Sequence, residues 1–389
     1  MRAQNAPRAA DLDQGTASAA VASRPHRPDA KGIAMDMIVS LLDGLGEARV
    51  GALFGLLTGL VFGIAAQRSS FCLRAATVEF ARGHLGGRVA VWLLTFSTAV
   101  VWVQGAQMLG LFQSSEARMM AVAGSWSGAI IGGLMFGAGM VLARGCSGRL
   151  LVLAATGNLR SVVSGLIFAV VAQMALHGWL APMRNTLASL WTTPGGRNVD
   201  LLEWAGLPAA SGLLIGIVLA VAALGLAVRS RIGARTLVFA SGVGFAVALG
   251  WVLTYRLAQM SFEPVSVTSA TFSGPSANTL MFFLSAAPTL DFDVGLVPGV
   301  FLGAFLAAAW GRELKFQGFE GADPMRRAMI GAALMGFGAM LAGGCAIGAG
   351  VTGGSIFAGT AWVALFFMWV GAVITDFLVD QRRPVPAAA

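Results

Sequence analysis

The sequence predicts an all-α integral membrane protein with about nine transmembrane helices and four re-entrant half-helices, built as an inverted-topology internal repeat. Three observations carry this expectation. Hydrophobic residues fill 57% of 389 positions and charged residues only 11%, with a mean hydropathy of +0.76, a combination foreign to soluble domains of this length. Apolar stretches recur, each near the roughly 20 residues that a helix needs to cross about 30 Å of hydrocarbon. Finally, Ala143-Arg144-Gly145-Cys146-Ser147-Gly148 and Ala342-Gly343-Gly344-Cys345-Ala346-Ile347-Gly348 each interrupt an apolar stretch at the same place in two halves of the chain.

In order along the chain, residues 1–33 are rich in Ala, Arg, Asp and Pro and contain no apolar run, so they read as a disordered tail rather than a signal or a span. Met35 and Met37 open the first amphipathic stretch, and translation is expected to start there, with the upstream tail absent in the cell. Spans are expected over 48–66, 88–111, 124–142, 159–181, 210–228, 234–254, 293–312, 325–342 and 359–380. The pieces at 70–82, 146–157, 273–287 and 345–357 are apolar but too short to cross. Non-helical backbone at membrane depth is tolerated only against protein or a wet cavity, so these four should face the interior. The expected organisation is a first membrane repeat at 34–209, a linking helix at 210–228, a second repeat at 229–380 and a short tail at 381–389.

Placing Cys146 on Cys345, an offset of 345 − 146 = 199, also superposes Gly132, Gly137, Gly139 and Gly145 on Gly331, Gly336, Gly338 and Gly344. One linking helix between halves of four spans forces the second half to enter from the opposite side. Basic residues then sort unevenly. Sixteen, from Arg68 to Arg383, fall on one side, whereas Arg49, Arg118, Arg184, Arg197 and Arg256 fall on the other. The positive-inside rule makes the first side cytoplasmic, with the N-terminus periplasmic and the C-terminus cytoplasmic. Gly55-x-x-x-Gly59-x-x-x-Gly63, Gly128-x-x-x-Gly132 and Gly299-x-x-x-Gly303 read as helix-packing faces without chemistry.

The net charge of +8 is dispersed singly between apolar segments, so it does not indicate nucleic-acid binding. Three cysteines without a CxxC or Cys/His cluster give no disulfide framework, metal site or cofactor site. What remains is a binding site on the broken helices, the strongest sequence pointer to a transporter. A thiol offers a weak donor and a polarizable sulfur, and the start of a half-helix adds unpaired N–H groups and the positive end of a dipole. Glycine at Gly145 and Gly344 lets the backbone leave helical geometry and approach a ligand. Together these suit a soft, sulfur-containing anion. The candidate contacts are Cys146, Cys345, Gly145 and Gly344, with Cys72 in Arg68-Ser69-Ser70-Phe71-Cys72-Leu73-Arg74 and its repeat counterpart Ser273 in Thr271-Phe272-Ser273-Gly274-Pro275. The bland alternative is a small buried hydrophobe for each cysteine and a turn or cap residue for Ser273. Arg144, with Arg68, Arg74 and Arg149, lies beside the first-half cysteines and could hold an anion, although the positive-inside signal already accounts for it. Asp376 stands isolated near the end of the last helix, and no intramembrane carboxylate pair suggests ion coupling.

These motifs resemble the YeeE/YedE family of sulfur-transport membrane proteins, over residues 48–380. The resemblance implies a transporter, not an enzyme, with an hourglass interior and a cysteine relay at a central constriction that hydrogen-bonds thiosulfate and passes it inward. Cys146 and Cys345 match its central motifs and Cys72 the cysteine of the first re-entrant piece. Where some members carry a further cysteine this chain has Ser273, which leaves the relay through that position open. The family also implies a cytoplasmic sulfur-carrier partner of the TusA type, expected here as a separate protein because the chain ends soon after the last helix. The leading expectation is therefore an inner-membrane importer of thiosulfate or a related small sulfur anion, embedded in lipid. The alternative is a membrane thiol/disulfide oxidoreductase, which needs a resolving thiol near an attacking one.

Overall fold

The computed structural model describes residues 42, 44–208, 210–319 and 321–381. The 1–33 tail, the start at Met35 or Met37, and residues 382–389 lie outside them. Thirteen helices build the membrane body: α1 Glu47–Ser69, α2 Leu73–Ala81, α3 Gly87–Met108, α4 Trp126–Leu142, α5 Ser147–Ala155, α6 Leu159–His177, α7 Ala210–Arg229, α8 Ala234–Met260, α9 Ser273–Leu284, α10 Phe292–Trp310, α11 Ala322–Leu341, the π-helical α12 Ala346–Gly353, and α13 Gly359–Thr375. Among the described residues, nine helical stretches are long and apolar enough to cross a membrane, and only isolated bridges represent β-structure. The protein is an all-α, multi-pass membrane protein. Short helices occupy the four expected interruptions: α2, α5, α9 and α12.

The long helices start where polar caps stand. The Ser125, Asn158 and Asp291 side chains accept the N–H of Gly128, Ser161 and Val294 at 2.8, 2.9 and 2.9 Å, satisfying donors that the first turns of α4, α6 and α10 leave open. Exposed Trp179, Trp191, Trp204 and Trp310 sit at loop and helix ends, as side chains with an apolar body and a polar tip do at an interface.

Glycine faces decide which helices touch. Gly55, Gly59 and Gly63 of α1 rest on the α10 backbone at Phe292, Leu296 and Val300, while Gly295, Gly299 and Gly303 of α10 rest on Ala52, Leu56 and Leu60 of α1. A side chain at any of these would strike a carbonyl, so the two backbones meet without intervening atoms, the packing lipid-embedded helices rely on. The α4–α11 crossing is antiparallel and reciprocal. Gly132 lies on Gly338 and Ala342, Gly139 on Gly331 and Met335, Gly331 on Gly139 and Ala143, and Gly338 on Gly132 and Phe136. Because 132 + 199 = 331 and 139 + 199 = 338, each glycine meets the counterpart of its neighbour, which is the contact pattern of a two-fold axis crossing the helix pair.

Other contacts come in the same mated pairs. The α4–α13 packing has a mate in α11–α6, α1–α10 in α8–α3, α5–α6 in α12–α13, and α9–α10 in α2–α3, whereas α7 packs on α3. Exchange of the halves thus reproduces the map, as an internal repeat of inverted direction requires.

Candidate functional site

The three cysteines occupy equivalent positions. Cys72, Cys146 and Cys345 are the N-caps of α2, α5 and α12. Two residues before each stands a left-handed residue: Ser70 at φ 52°, Arg144 at φ 57° and Gly343 at φ 77°. The turns preceding Cys146 and Cys345 close alike, with Gly145 N–H donating to Met140 C=O at 3.1 Å and Gly344 N–H to Ala339 C=O at 2.9 Å, the longer bond of a Schellman cap. The sequence expectation that Gly145 and Gly344 themselves supply the non-helical turn is therefore displaced by one residue. Gly344 instead permits close approach, since a Cβ there would lie 2.6 Å from Ala349 N, while at Gly145 the nearest neighbour is the Leu150 side chain at 3.3 Å. Two of the three left-handed residues carry side chains, at a cost of about 1–2 kcal/mol for each. Glycine context consequently could not have picked out the Cys72 turn.

The starts of the four short helices converge. The Cys72 and Cys146 side chains lie close enough to interact, with the backbone of Ala75, Leu73 and Arg149 beside them. Cys345 Sγ accepts the Phe272 and Gly348 N–H groups, both at 3.4 Å, and lies 4.0 Å from Thr271 Oγ1, which is itself 3.4 Å from Ser273 Oγ. Phe272, the N-cap of α9, joins the two groups: its ring packs edge-on to Phe62 with centroids 5.0 Å apart, and it fills the space left by Gly148, whose Cβ would lie 3.2 Å from the ring. Cys146 and Cys345 are 1% and 0% exposed, so neither faces the acyl chains. Sequence reasoning did not single out Phe272; its position immediately before Ser273, the counterpart of Cys72, was the available signal.

Two cavities approach this centre from opposite ends of α4. One, of about 450 Å³, is lined by Ser70, Cys72, Arg74, Glu79, Arg82, His84, Arg88, Arg144 and Arg149 among others. The second, of about 350 Å³, is lined among others by Arg118, Arg184, Asn198, Thr271, Ser273, Gly274, Asp293, Gly343 and Gly348. They share no lining residue: Cys72 lines the first, Thr271 and Ser273 on either side of Phe272 line the second, and Cys146 and Cys345 line neither. Ser273 belongs to the second cavity, beside the Cys345 turn. Arg144 belongs to the first, and so does Arg149, while Arg68 lines a smaller cavity of about 250 Å³ that also reaches Cys72.

Electrostatically, the first cavity is strongly positive, with five arginines against Glu79 among its lining residues. Asp376 is not isolated, contrary to the sequence expectation. It is fully buried and accepts from Arg82 Nε at 3.2 Å and Nη2 at 3.1 Å. That bidentate bond raises the Arg82 guanidinium above its ordinary value. Asp380 is 2.8 Å from Arg327 and 3.8 Å from Arg74. These carboxylates hold the arginine shell in place around the cavity rather than lining it. In the second cavity burial pulls the Arg184 guanidinium below its usual value.

Among the described residues no group of three His, Cys, Asp or Glu side chains is arranged to hold a metal. The arrangement offers soft sulfur, converging N–H groups and positive cavities, the complement of a small anion with a sulfur end.

Comparison with known proteins agrees with this chemistry. A family profile described as sulphur transport matches residues 68–374. The thiosulfate transporter TsuA of Escherichia coli K12 is 28% identical over 358 residues, which cover 85% of this chain and 95% of that protein. The thiosulfate transporter TsuA of Spirochaeta thermophila is 28% identical over 348 residues, 84% of this chain and 99% of that protein. These relatives are transporters, not enzymes, so the oxidoreductase alternative gains nothing from them even though Cys72 and Cys146 form the close thiol pair it needed. With the match spanning most of the sequence and a helical body built around apposed cysteine turns, the chain belongs to the YeeE/YedE sulphur-transport family and is a multi-pass membrane transporter.

Proposed function

We propose that this transporter imports thiosulfate, or a closely related small sulfur anion, across the bacterial inner membrane, through a constriction formed by Cys146, Cys345 and Cys72. The observation that supports the proposal is the gathering of three cysteine N-caps at the starts of short helices, with an arginine-rich cavity reaching Cys72 and a second cavity reaching Thr271, Ser273 and Gly348 beside Cys345. Thiosulfate has a soft sulfur at one end and hard oxygens at the other. The Ser273 and Gly348 side would receive the anion, Cys345, Cys146 and Cys72 would contact its sulfur in turn, and Arg144 would draw its oxygens onward, with the close turns at Gly145 and Gly344 bringing backbone to the ligand. Several weak contacts of this kind compensate dehydration without trapping the ion.

The arginine-lined cavity would face the cytoplasm, by the excess of basic residues on that side, which leaves the N-terminus periplasmic and the C-terminus cytoplasmic. Residues 34–209 and 229–380 would act as the two inverted repeats around the α7 link. A cytoplasmic sulfur carrier of the TusA type is the expected acceptor.

The test is uptake of radiolabelled thiosulfate into a sulfur-auxotrophic host. Cys146→Ala and Cys345→Ala should each lose most uptake while reaching the membrane at wild-type levels. Undiminished uptake by both variants would remove the cysteines from the path.

A further inference from the structure

We infer that the first cavity contains an oxyanion site of its own, built by Arg74 and Arg149 on its wall beside Cys72, which binds small dianions through their oxygens and therefore accepts sulfate as readily as thiosulfate. The inference rests on the transport reading for its physiological ligand, but its geometry stands apart from the Cys345 side.

The carrying observation is a set of buried donors without partners. Arg149 Nη1, Arg74 Nε and Ser147 Oγ have no hydrogen-bond partner among the described residues and negligible atomic exposure. Ser147 as a residue is 5% exposed. A buried donor left unpaired costs about 1–3 kcal/mol, more for a charged group, and native proteins rarely leave several in one place unless something else satisfies them. All three stand in the first turns of α5 or α2, within three residues of Cys146 or Cys72. Each helix is nine residues long, with its unpaired N–H groups and the positive end of its dipole at the cysteine end. Arg74 and Arg149 also line the cavity that reaches Cys72.

Two guanidinium groups recognise oxygen, not sulfur. Guanidinium forks match the oxygens of a tetrahedral oxyanion in geometry and charge, and nothing in this set discriminates a sulfane sulfur from a fourth oxygen. Selectivity for the sulfur end would then reside at the cysteines, and this site would be a less selective receiving station whose occupancy by sulfate slows release from within.

The experiment reads Cys72, which lines the same cavity. The purified full-length protein is treated with N-ethylmaleimide in sulfate or in gluconate at equal ionic strength, and modification of Cys72 is followed by peptide mass spectrometry. Sulfate should slow the reaction in the wild type. Arg149→Gln should need about tenfold more sulfate for the same protection, and Arg74→Gln should shift it in the same direction. Cys345→Ala should keep full protection, which separates this site from the central contacts: protection can persist even if uptake proves independent of the cysteines. Equal rates in sulfate and gluconate for the wild type, or undiminished protection in both arginine variants, overturn the inference. Protection is read as the ratio of rates in sulfate and gluconate for each variant, and a wild-type melting midpoint in detergent establishes that the variants are folded.

Discussion

The reciprocal α4–α11 crossing makes a prediction in which two physical effects oppose each other. Replacing Gly139 by Ala should stabilise a helix by about 1 kcal/mol through propensity alone. In this structure, however, the new Cβ would sit 2.5 Å from Gly331 C=O and 2.7 Å from Met335 Cγ, and the matching Cβ at Gly331 would sit 2.5 Å from Ala143 N and 2.6 Å from Gly139 C=O. Ordinary carbon contacts are roughly 3.5–4.0 Å, so the backbones must part by about 1 Å. Overpacking of this kind costs about 1–3 kcal/mol, and the sum is a net loss. Since the helix ends lead directly into the Cys146 and Cys345 turns, separation also moves the thiols apart. Gly139→Ala and Gly331→Ala should therefore lower the detergent-solubilised melting midpoint by several degrees, by similar amounts, and reduce thiosulfate uptake. Gly225→Ala on α7, where nothing lies within 4 Å of the new Cβ, should match or exceed wild-type stability. Melting curves for all three decide the matter. If Gly139→Ala and Gly331→Ala are as stable as Gly225→Ala, or differ widely from each other, the two-fold packing argument is wrong.

Three further outcomes follow from named contacts. Asp376→Asn should destabilise the protein by about 1–3 kcal/mol, because it weakens the acceptor of the bidentate Arg82 bond and leaves that half-exposed guanidinium poorly matched; Arg82→Gln combined with Asp376→Asn should recover part of the loss in a thermal-melt double-mutant cycle. Ser273→Cys should retain uptake because the thiol keeps a weak donor beside Thr271 and Cys345, whereas Ser273→Ala should raise the KM for thiosulfate a few-fold, as measured in uptake assays. Burial raises the Asp200 carboxyl above its ordinary range, outweighing the Leu202 and Glu203 N–H groups that lower it. An acid raised in the folded state loses stability as pH climbs through its unfolded and then its folded value. The stability advantage of Asp200→Asn over wild type should accordingly be absent in acid and grow toward neutral pH, read as the difference in melting midpoint.

The class of protein and the positions of its short interrupting helices were legible in the residues. Apolar lengths set nine spans because a helix must satisfy its own backbone in lipid, and interruptions at Cys72, Cys146, Ser273 and Cys345 located α2, α5, α9 and α12 because pieces too short to cross must end against protein. What the linear pattern could not contain was which of those starts touch. Cys72 lies beside Cys146, 74 residues away (146 − 72), and Cys345 accepts from the Phe272 backbone, through helix crossings whose angles depend on many glycine contacts at once. The same holds for charge. Arg82 looked like a topology marker and Asp376 like a stray carboxylate until the fold joined them across 294 residues. The left-handed turns were hidden for a local reason: Arg144 and Ser70 adopt a conformation that their identities disfavour, and only the surrounding helix ends impose it. Composition and spacing therefore determined the membrane fold and the cysteine-bearing breaks, while tertiary packing alone decided the approach of Cys72 to Cys146, the packing of Phe272 on Gly148 and Cys345, and the two cavities, since those arise from contacts between segments that no local preference encodes.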